Sequence, residues 1–156
     1  MIACCMAVVA AVLAGVNAGQ SNPVSPVHSA AASAIRAVLD EQAAAWNKGD
    51  IDAFMRGYWK SPELTFYSGG TVTSSWEATL QRYRSRYRGE GREMGKLDFS
   101  EVEIHVLAGD AAWVGGRWHL KLSDGKDLGG LFTLIFRKFP EGWRIVHDHT
   151  SASESR

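Results

Sequence analysis

The sequence predicts an α+β domain in which a group of helices is followed by a strongly curved antiparallel sheet. Three observations carry this. Helical periodicity is confined to the part of the chain up to Tyr87, and long strand-like runs fill the rest without any strand-helix-strand alternation. The connections between those runs, Ala108-Gly109-Asp110, Ser123-Asp124-Gly125-Lys126 and Phe139-Pro140-Glu141-Gly142, are short enough to be hairpin turns, which makes neighbouring strands antiparallel. Gly115-Gly116 and Gly129-Gly130 fall in adjacent strands, where missing side chains permit sharp bending and leave a hollow between sheet and helices.

The elements follow in order. Ile2 to Val16 is almost wholly Ala, Val, Leu, Cys and Met, and Val16-Asn17-Ala18 supplies small residues for cleavage, so residues 1–18 read as a signal peptide. The run is shorter than the roughly 20 apolar residues a helix needs to span a bilayer. The expectation is export to the periplasm or the exterior, with no stable membrane insertion, although no Lys or Arg precedes the run. Cys4 and Cys5 both lie inside it, so a mature domain would carry no disulfide, thiolate metal site or cysteine nucleophile. Residues 19–33, rich in Ser, Ala and Pro, read as a flexible lead-in to a single domain over 34–153.

Ile35, Val38, Leu39, Ala43 and Trp46 share one helical face, and Gly49 ends that helix. Asp50 caps a second, shorter helix that buries Ile51, Phe54, Met55 and Tyr58 and stops at Ser61-Pro62. Leu64 to Tyr67 and Thr71 to Thr73, joined by Ser68-Gly69-Gly70, make a short strand pair. Ser74-Ser75-Trp76-Glu77 reads as a capping box opening a third helix, with Trp76, Leu80, Tyr83 and Tyr87 as its buried stripe. Four strands then run over Leu97 to Leu107, Ala111 to Leu122, Asp127 to Lys138 and Trp143 to Thr150. In the first of them Leu97 and Phe99 alternate in one phase and Val102, Ile104 and Val106 in the other, which predicts a bulge between.

A length of 156 residues suits one compact core. The formal net charge of zero argues against a nucleic-acid binder, whose affinity would rest on a basic surface. No nucleotide loop, nucleophile elbow or zinc signature is present, and no cofactor is expected.

The closing run WRIVHDHTS concentrates ionisable groups where a strand would ordinarily bury apolar ones. Simple alternation puts His147 and His149 on one face with Trp143 and Ile145, and Asp148 on the other with Val146 and Thr150. If the histidines face inward, either can act as acid or base near neutral pH. If Asp148 faces inward, a desolvated carboxylate can abstract a proton. A metal on His147, His149 and His119 lacks a third ligand fixed by spacing, so no metal is expected. In the second of the four strands, Trp113, Gly115, Arg117 and His119 share one face, and Val114, Trp118, Leu120 and Leu122 the other. Trp46, Tyr58, Tyr67, Trp76 and Tyr83 recur at core spacings, and their polar tips need partners. Tyr67 and Tyr83 are the preferred candidates to line a cavity of mixed polarity. Arg82, Arg84, Arg86, Arg88 and Arg92 read as a solvated surface suited to the negative end of a helix dipole.

The helix ending in AAWNKGD, the stretch SPELTFYSGG, the strand AAWVGGRWHLKL and the closing WRIVHDHTS together resemble the nuclear transport factor 2-like superfamily. Within it, the sequence is similar to the SnoaL-like branch and to the association domain of calcium/calmodulin-dependent kinase II. The resemblance covers about residues 34–153. It implies a cone-shaped half-barrel, a homodimer, and one pocket for a small molecule between sheet and helices. Isomerases, cyclases, dehydratases, carriers and assembly domains share this fold, so the resemblance does not assign a reaction. The likeness to the association domain implies that Arg117 points inward as an anion anchor, with His119 beside it, and its alternative is an arginine paired with a glutamate at a dimer face. Proton abstraction by a carboxylate is what the superfamily's isomerases imply for Asp148. Two functions follow as expectations: an exported protein that binds a small anionic or carbonyl compound, with isomerase, cyclase or hydratase activity, or a non-catalytic assembly module that associates through an outer face bearing Val114, Trp118 and Leu120.

Overall fold

The computed structural model describes residues 26–89 and 92–153. Helix α1 spans Pro26–Asn47. Proline suits the first turn of a helix, where its missing N–H is not needed. The part of the expected lead-in from Pro26 to Ser33 is therefore the start of α1, because its alanines favour helix over coil. The expected signal peptide, with Cys4 and Cys5, lies outside the described residues.

Asp50 caps α2 (Ile51–Phe54) by accepting the Ala53 N–H at 2.9 Å, as its position predicts, and a 3-10 turn over Met55–Gly57 carries the chain to Tyr58. Strands β1 (Thr65–Ser68) and β2 (Thr71–Ser74) form the short hairpin. The cap of α3 (Trp76–Arg84) is Ser75, whose hydroxyl accepts from Ala78, so the capping box expected from Ser74 is displaced by one residue. A π-helical turn over Ser85–Gly89 extends α3.

Four long strands follow: β3 (Lys96–Ala108), β4 (Ala111–Lys121), β5 (Asp127–Phe139) and β6 (Gly142–Thr150). They form an antiparallel meander, and β1 joins β6 in parallel to complete a curved, unclosed six-stranded sheet of order β2-β1-β6-β5-β4-β3. The helices pack against its inner face. Ile35 and Leu39 of α1 and Ile51 of α2 are wholly buried, with Val114, Phe136 and Ile145 of the sheet in the same core.

Two bulges decide which residues that inner face presents. The one expected in β3 lies between Ser100 and Glu103, where Glu101 adopts φ 50, and it switches the buried phase from Leu97 and Phe99 to Val102, Ile104 and Val106. The second, not expected, is in β6: Phe136 pairs with Ile145 and Ile135 with His147, leaving Val146 unmatched. One extra residue reverses the alternation beyond it. Asp148 therefore joins Trp143 and Ile145 on the buried side, and the histidines turn outward.

Of the paired glycines, Gly116 and Gly130 make room for the inner wall. A Cβ on Gly116 would sit 2.6 Å from the Phe132 ring, and one on Gly130 would sit 1.9 Å from the Ser151 carbonyl oxygen and 2.8 Å from the Trp118 indole nitrogen. Their bareness lets these rings and the segment after β6 close over the sheet.

Candidate functional site

Asp148 is 4% exposed and lines a cavity of about 200 Å³ between the inner face of the sheet and the helices. Two hydroxyls hold its carboxylate. Tyr58 Oη donates to Oδ2 at 2.7 Å, and Thr150 Oγ1 donates to Oδ1 at 2.7 Å. Tyr58 is itself fixed by a parallel bridge to Ile145 and by the Trp59 N–H donating to the Ile145 carbonyl at 2.9 Å. Thr150 lies two residues beyond Asp148 on the same strand face, so β6 supplies acid and clamp together.

Burial pushes the Asp148 carboxyl up to about 6, while the hydrogen bonds from Thr150 and Tyr58 pull it the other way and restrain the rise. Burial raises Tyr58 and Tyr83 well above the ordinary phenol value, and the charge of Asp148 adds to the rise. Both phenols therefore remain protonated donors at any pH the protein meets.

The rest of the cavity is largely aromatic. Trp46, Phe54, Tyr83 and Tyr87 meet edge to face or stacked, with Trp46 ring centroids 5.1 Å from Phe54 and 4.9 Å from Tyr87. Phe99 and Phe132 pack 5.4 Å apart on the sheet side, near Trp118, whose indole N–H donates to the Ser151 carbonyl at 2.9 Å. The more exposed lining residues, Arg86, Leu128, Ser151 and Ala152, mark the mouth.

Among the residues that the sequence singles out, Trp46, Tyr58, Tyr83 and Asp148 come together here. His147 and His149 do not, because of the β6 bulge. His147 shares a 2.7 Å hydrogen bond with Thr65 Oγ1 through Nδ1, and its ring meets Tyr67 at 4.9 Å on the outer face. Burial, then the neighbouring His149, hold its pKa below the ordinary imidazole value. Tyr67, 38% exposed, belongs with the two histidines and not with the cavity.

The expectation that Arg117 and His119 point inward is also corrected. Gly115 and Trp113 precede them on the outer face, and the buried phase of β4 is Ala112, Val114 and Leu120. Arg117 Nε donates to Glu101 Oε2 at 2.8 Å with both groups largely exposed, and His119 shares a 3.0 Å hydrogen bond with Ser100. The supposed outer face of Val114, Trp118 and Leu120 is thus the inner one. Trp76 supports the fold beside the cavity: its indole N–H donates to the Met55 carbonyl at 3.0 Å, and the Lys60 ammonium lies over its ring. Among the described residues, no three His, Cys, Asp or Glu side chains converge as a metal site.

Sequence reasoning missed Gln42, Thr150, Arg82 and Arg86. Gln42, 3% exposed, donates to the Phe54 carbonyl at 3.1 Å and borders the cavity from α1. Its signal was available, since Gln42 falls within the helical stripe of Leu39 and Trp46, where a polar residue is out of place.

Residues 35–154 match the SnoaL-like domain family. No functionally curated protein matches the chain. Its structure is similar to a nuclear transport factor 2-like protein of unknown function from Shewanella oneidensis, at 38% identity over 77% of this chain and 98% of that one, with a TM-score of 0.71. A nuclear transport factor 2-like superfamily protein from Salmonella enterica shares 24% identity over 81% of this chain and 94% of its own, with a TM-score of 0.69. A protein from Xanthomonas campestris that is like a calcium/calmodulin-dependent protein kinase II association domain is 20% identical over 78% of this chain and 87% of its own, with a TM-score of 0.60.

Proposed function

The chain belongs to the SnoaL-like domain family, and on that premise we propose that it is an exported small-molecule enzyme that moves a proton on a carbonyl compound without an organic cofactor. The observation that carries this reading is the Asp148 carboxyl, buried in an aromatic cavity, pushed up to about 6 and gripped by two hydroxyls. A base is most effective when its pKa lies just below working pH, where it is ionised yet still basic. Burial supplies that tuning here.

The proton balance is simple. Asp148 takes a proton from the carbon beside a carbonyl, and the electron pair moves onto the carbonyl oxygen. Tyr83, a protonated phenol on the cavity wall, is the candidate donor to that oxygen. Returning the proton to another carbon gives isomerisation, and attack of the enolate carbon on a second carbonyl gives cyclisation. Loss or addition of water at the neighbouring carbon gives dehydration or hydration.

Solvent exchange tests this without knowledge of the natural substrate. Small cyclic ketones incubated with the protein in D₂O should take up deuterium beside the carbonyl faster than in buffer, as read by proton NMR, and the rate should rise with pH through about 6. Exchange at the buffer rate for every ketone that binds would refute the catalytic reading and leave a carrier or assembly role.

A homodimer joined through the outer sheet face is favoured by Leu131, 52% exposed, and by the half-exposed stack of His105 on Trp113 at 4.1 Å. Sedimentation equilibrium should then return twice the chain mass, and a monomer at all concentrations would exclude the dimer and the assembly role with it.

A further inference from the structure

We infer that Arg82 and Arg86 form an anion anchor at the mouth of the cavity, and that the ligand is a flat, apolar-bodied carboxylate whose reactive end lies at Asp148. The inference rests on the proposed reading of the cavity as a binding site and adds the class of compound it takes.

Helix α3 and its π-helical extension carry four arginines as two pairs, each pair four residues apart and so on one helical side. The pairs have different fates. Arg84 and Arg88 both turn to Asp52, Arg84 through a short ion pair and Arg88 at 3.9 Å. Arg82 and Arg86 border the cavity instead, and no carboxylate among the described residues pairs with either. Two positive charges thus stand four residues apart beside the cavity, with no ion-pair partner among the described residues. Like charges at this helical spacing repel modestly, and an anion bound between them relieves that repulsion.

The guanidiniums are also held in a pose suited to a ligand. Arg82 lies 5.3 Å over the Phe66 ring and Arg86 lies 5.8 Å over the Tyr87 ring, both rings of the cavity wall. A guanidinium held over a ring is restrained there by cation–π attraction, and although Arg86 also hydrogen-bonds the Tyr87 side chain, each fork carries further N–H donors for a carboxylate. The hydrogen bond from Arg82 to Thr73 Oγ1 is long, at 3.5 Å, and offers little competition.

Charge then fixes orientation. The buried Asp148 carboxylate repels an anion, and the arginine pair attracts one, so a molecule with a single carboxylate enters with that group outermost. Its uncharged end goes inward among Trp46, Phe99 and Trp118, and its proton-bearing carbon comes to Asp148.

Cinnamate and its neutral isostere cinnamamide are the probes, with binding measured by isothermal titration calorimetry at low salt. Cinnamate should bind the wild type more tightly than cinnamamide, and added sodium chloride should weaken cinnamate alone. The double variant Arg82→Gln/Arg86→Gln should lose roughly tenfold or more in cinnamate affinity, with cinnamamide changed by less than about twofold. Arg82→Lys/Arg86→Lys, which keeps the charge but not the planar fork, should fall between. Arg88→Gln/Lys96→Gln, which removes the same two charges outside the cavity, should leave both affinities unaltered and controls for net charge. Equal cinnamate affinity in the wild type and the Gln double variant, with cinnamamide still bound, overturns the anchor while leaving the cavity a binding site. If neither probe, nor benzoate, nor benzamide binds the wild type, the anchor fails together with the reading of the cavity.

Discussion

Replacing Asp148 by Asn should abolish proton transfer and at the same time make the folded domain more stable at neutral pH. The two effects have one cause. In the folded state burial raises this carboxyl from an ordinary 3.8 to about 6, so the native protein holds its proton to a higher pH than the unfolded chain does. The associated stability is fully present below about 3.8 and is lost as pH rises through about 6, beyond which a charge must be kept out of water. At about 1.4 kcal/mol for each pKa step, the neutral isostere should gain about 1–3 kcal/mol at pH 7.5. The amide keeps the essential contacts: its oxygen accepts from Tyr58, and the Thr150 hydroxyl can rotate to accept from the new NH₂. Urea unfolding from pH 4.5 to 7.5 should show the two proteins diverging as pH rises, with the variant more stable. Deuterium exchange into a bound ketone should fall by roughly 10²–10⁴-fold. A variant that is less stable than the wild type at pH 7.5, or that keeps its exchange activity, contradicts the assignment.

The largest loss of stability should come from Trp46→Ala. This ring joins α1 to the rest of the cavity wall. It meets Phe54, Tyr83 and Tyr87 at 5.1, 5.9 and 4.9 Å, and its indole N–H donates to the Met94 carbonyl at 3.0 Å. Truncation removes three aromatic contacts, opens a void and leaves a carbonyl without its donor. Substitutions of this kind cost about 3–5 kcal/mol, a large share of the total for a domain of this size. The melting temperature should drop by roughly 10 °C or more. Trp46→Phe keeps most of the apolar volume and loses the hydrogen bond, so its cost should be smaller, about 1–2 kcal/mol. Equal melting temperatures for the Ala variant and the wild type would show that α1 does not close the cavity.

The course of the chain was legible because each element announces itself locally. Gly49 and Asp50 mark a helix stop and start, and the phase slip between Phe99 and Val102 reveals the β3 bulge because apolar residues stand on both sides of it. The β6 bulge gives no such sign. Val146 is apolar and the alternation of Trp143 and Ile145 runs smoothly into His147, so only the pairing of Ile135 with His147 exposes the extra residue. Alternation alone therefore left open whether the imidazoles or the carboxyl faces the cavity, and the bulge decides for the carboxyl. In β4 both faces carry a tryptophan, Trp113 on one and Trp118 on the other, and alternation alone cannot say which looks inward. The arginines were hidden differently. Helical spacing separates Arg82 and Arg86 from Arg84 and Arg88, but only the position of Asp52, some thirty residues earlier, shows which pair is neutralised.

The most direct test of a tuned carboxyl in a ligand-sized hollow is the carbon-13 titration of the Asp148 carboxyl, followed by NMR in the wild type and in Tyr58→Phe. The wild type should titrate with a midpoint near 6. Loss of the 2.7 Å donor should move that midpoint higher, since the hydrogen bond favours the charged form. A midpoint near 4 in both proteins would mean that the carboxyl is hydrated like any surface aspartate, and the base at the heart of this site would not exist.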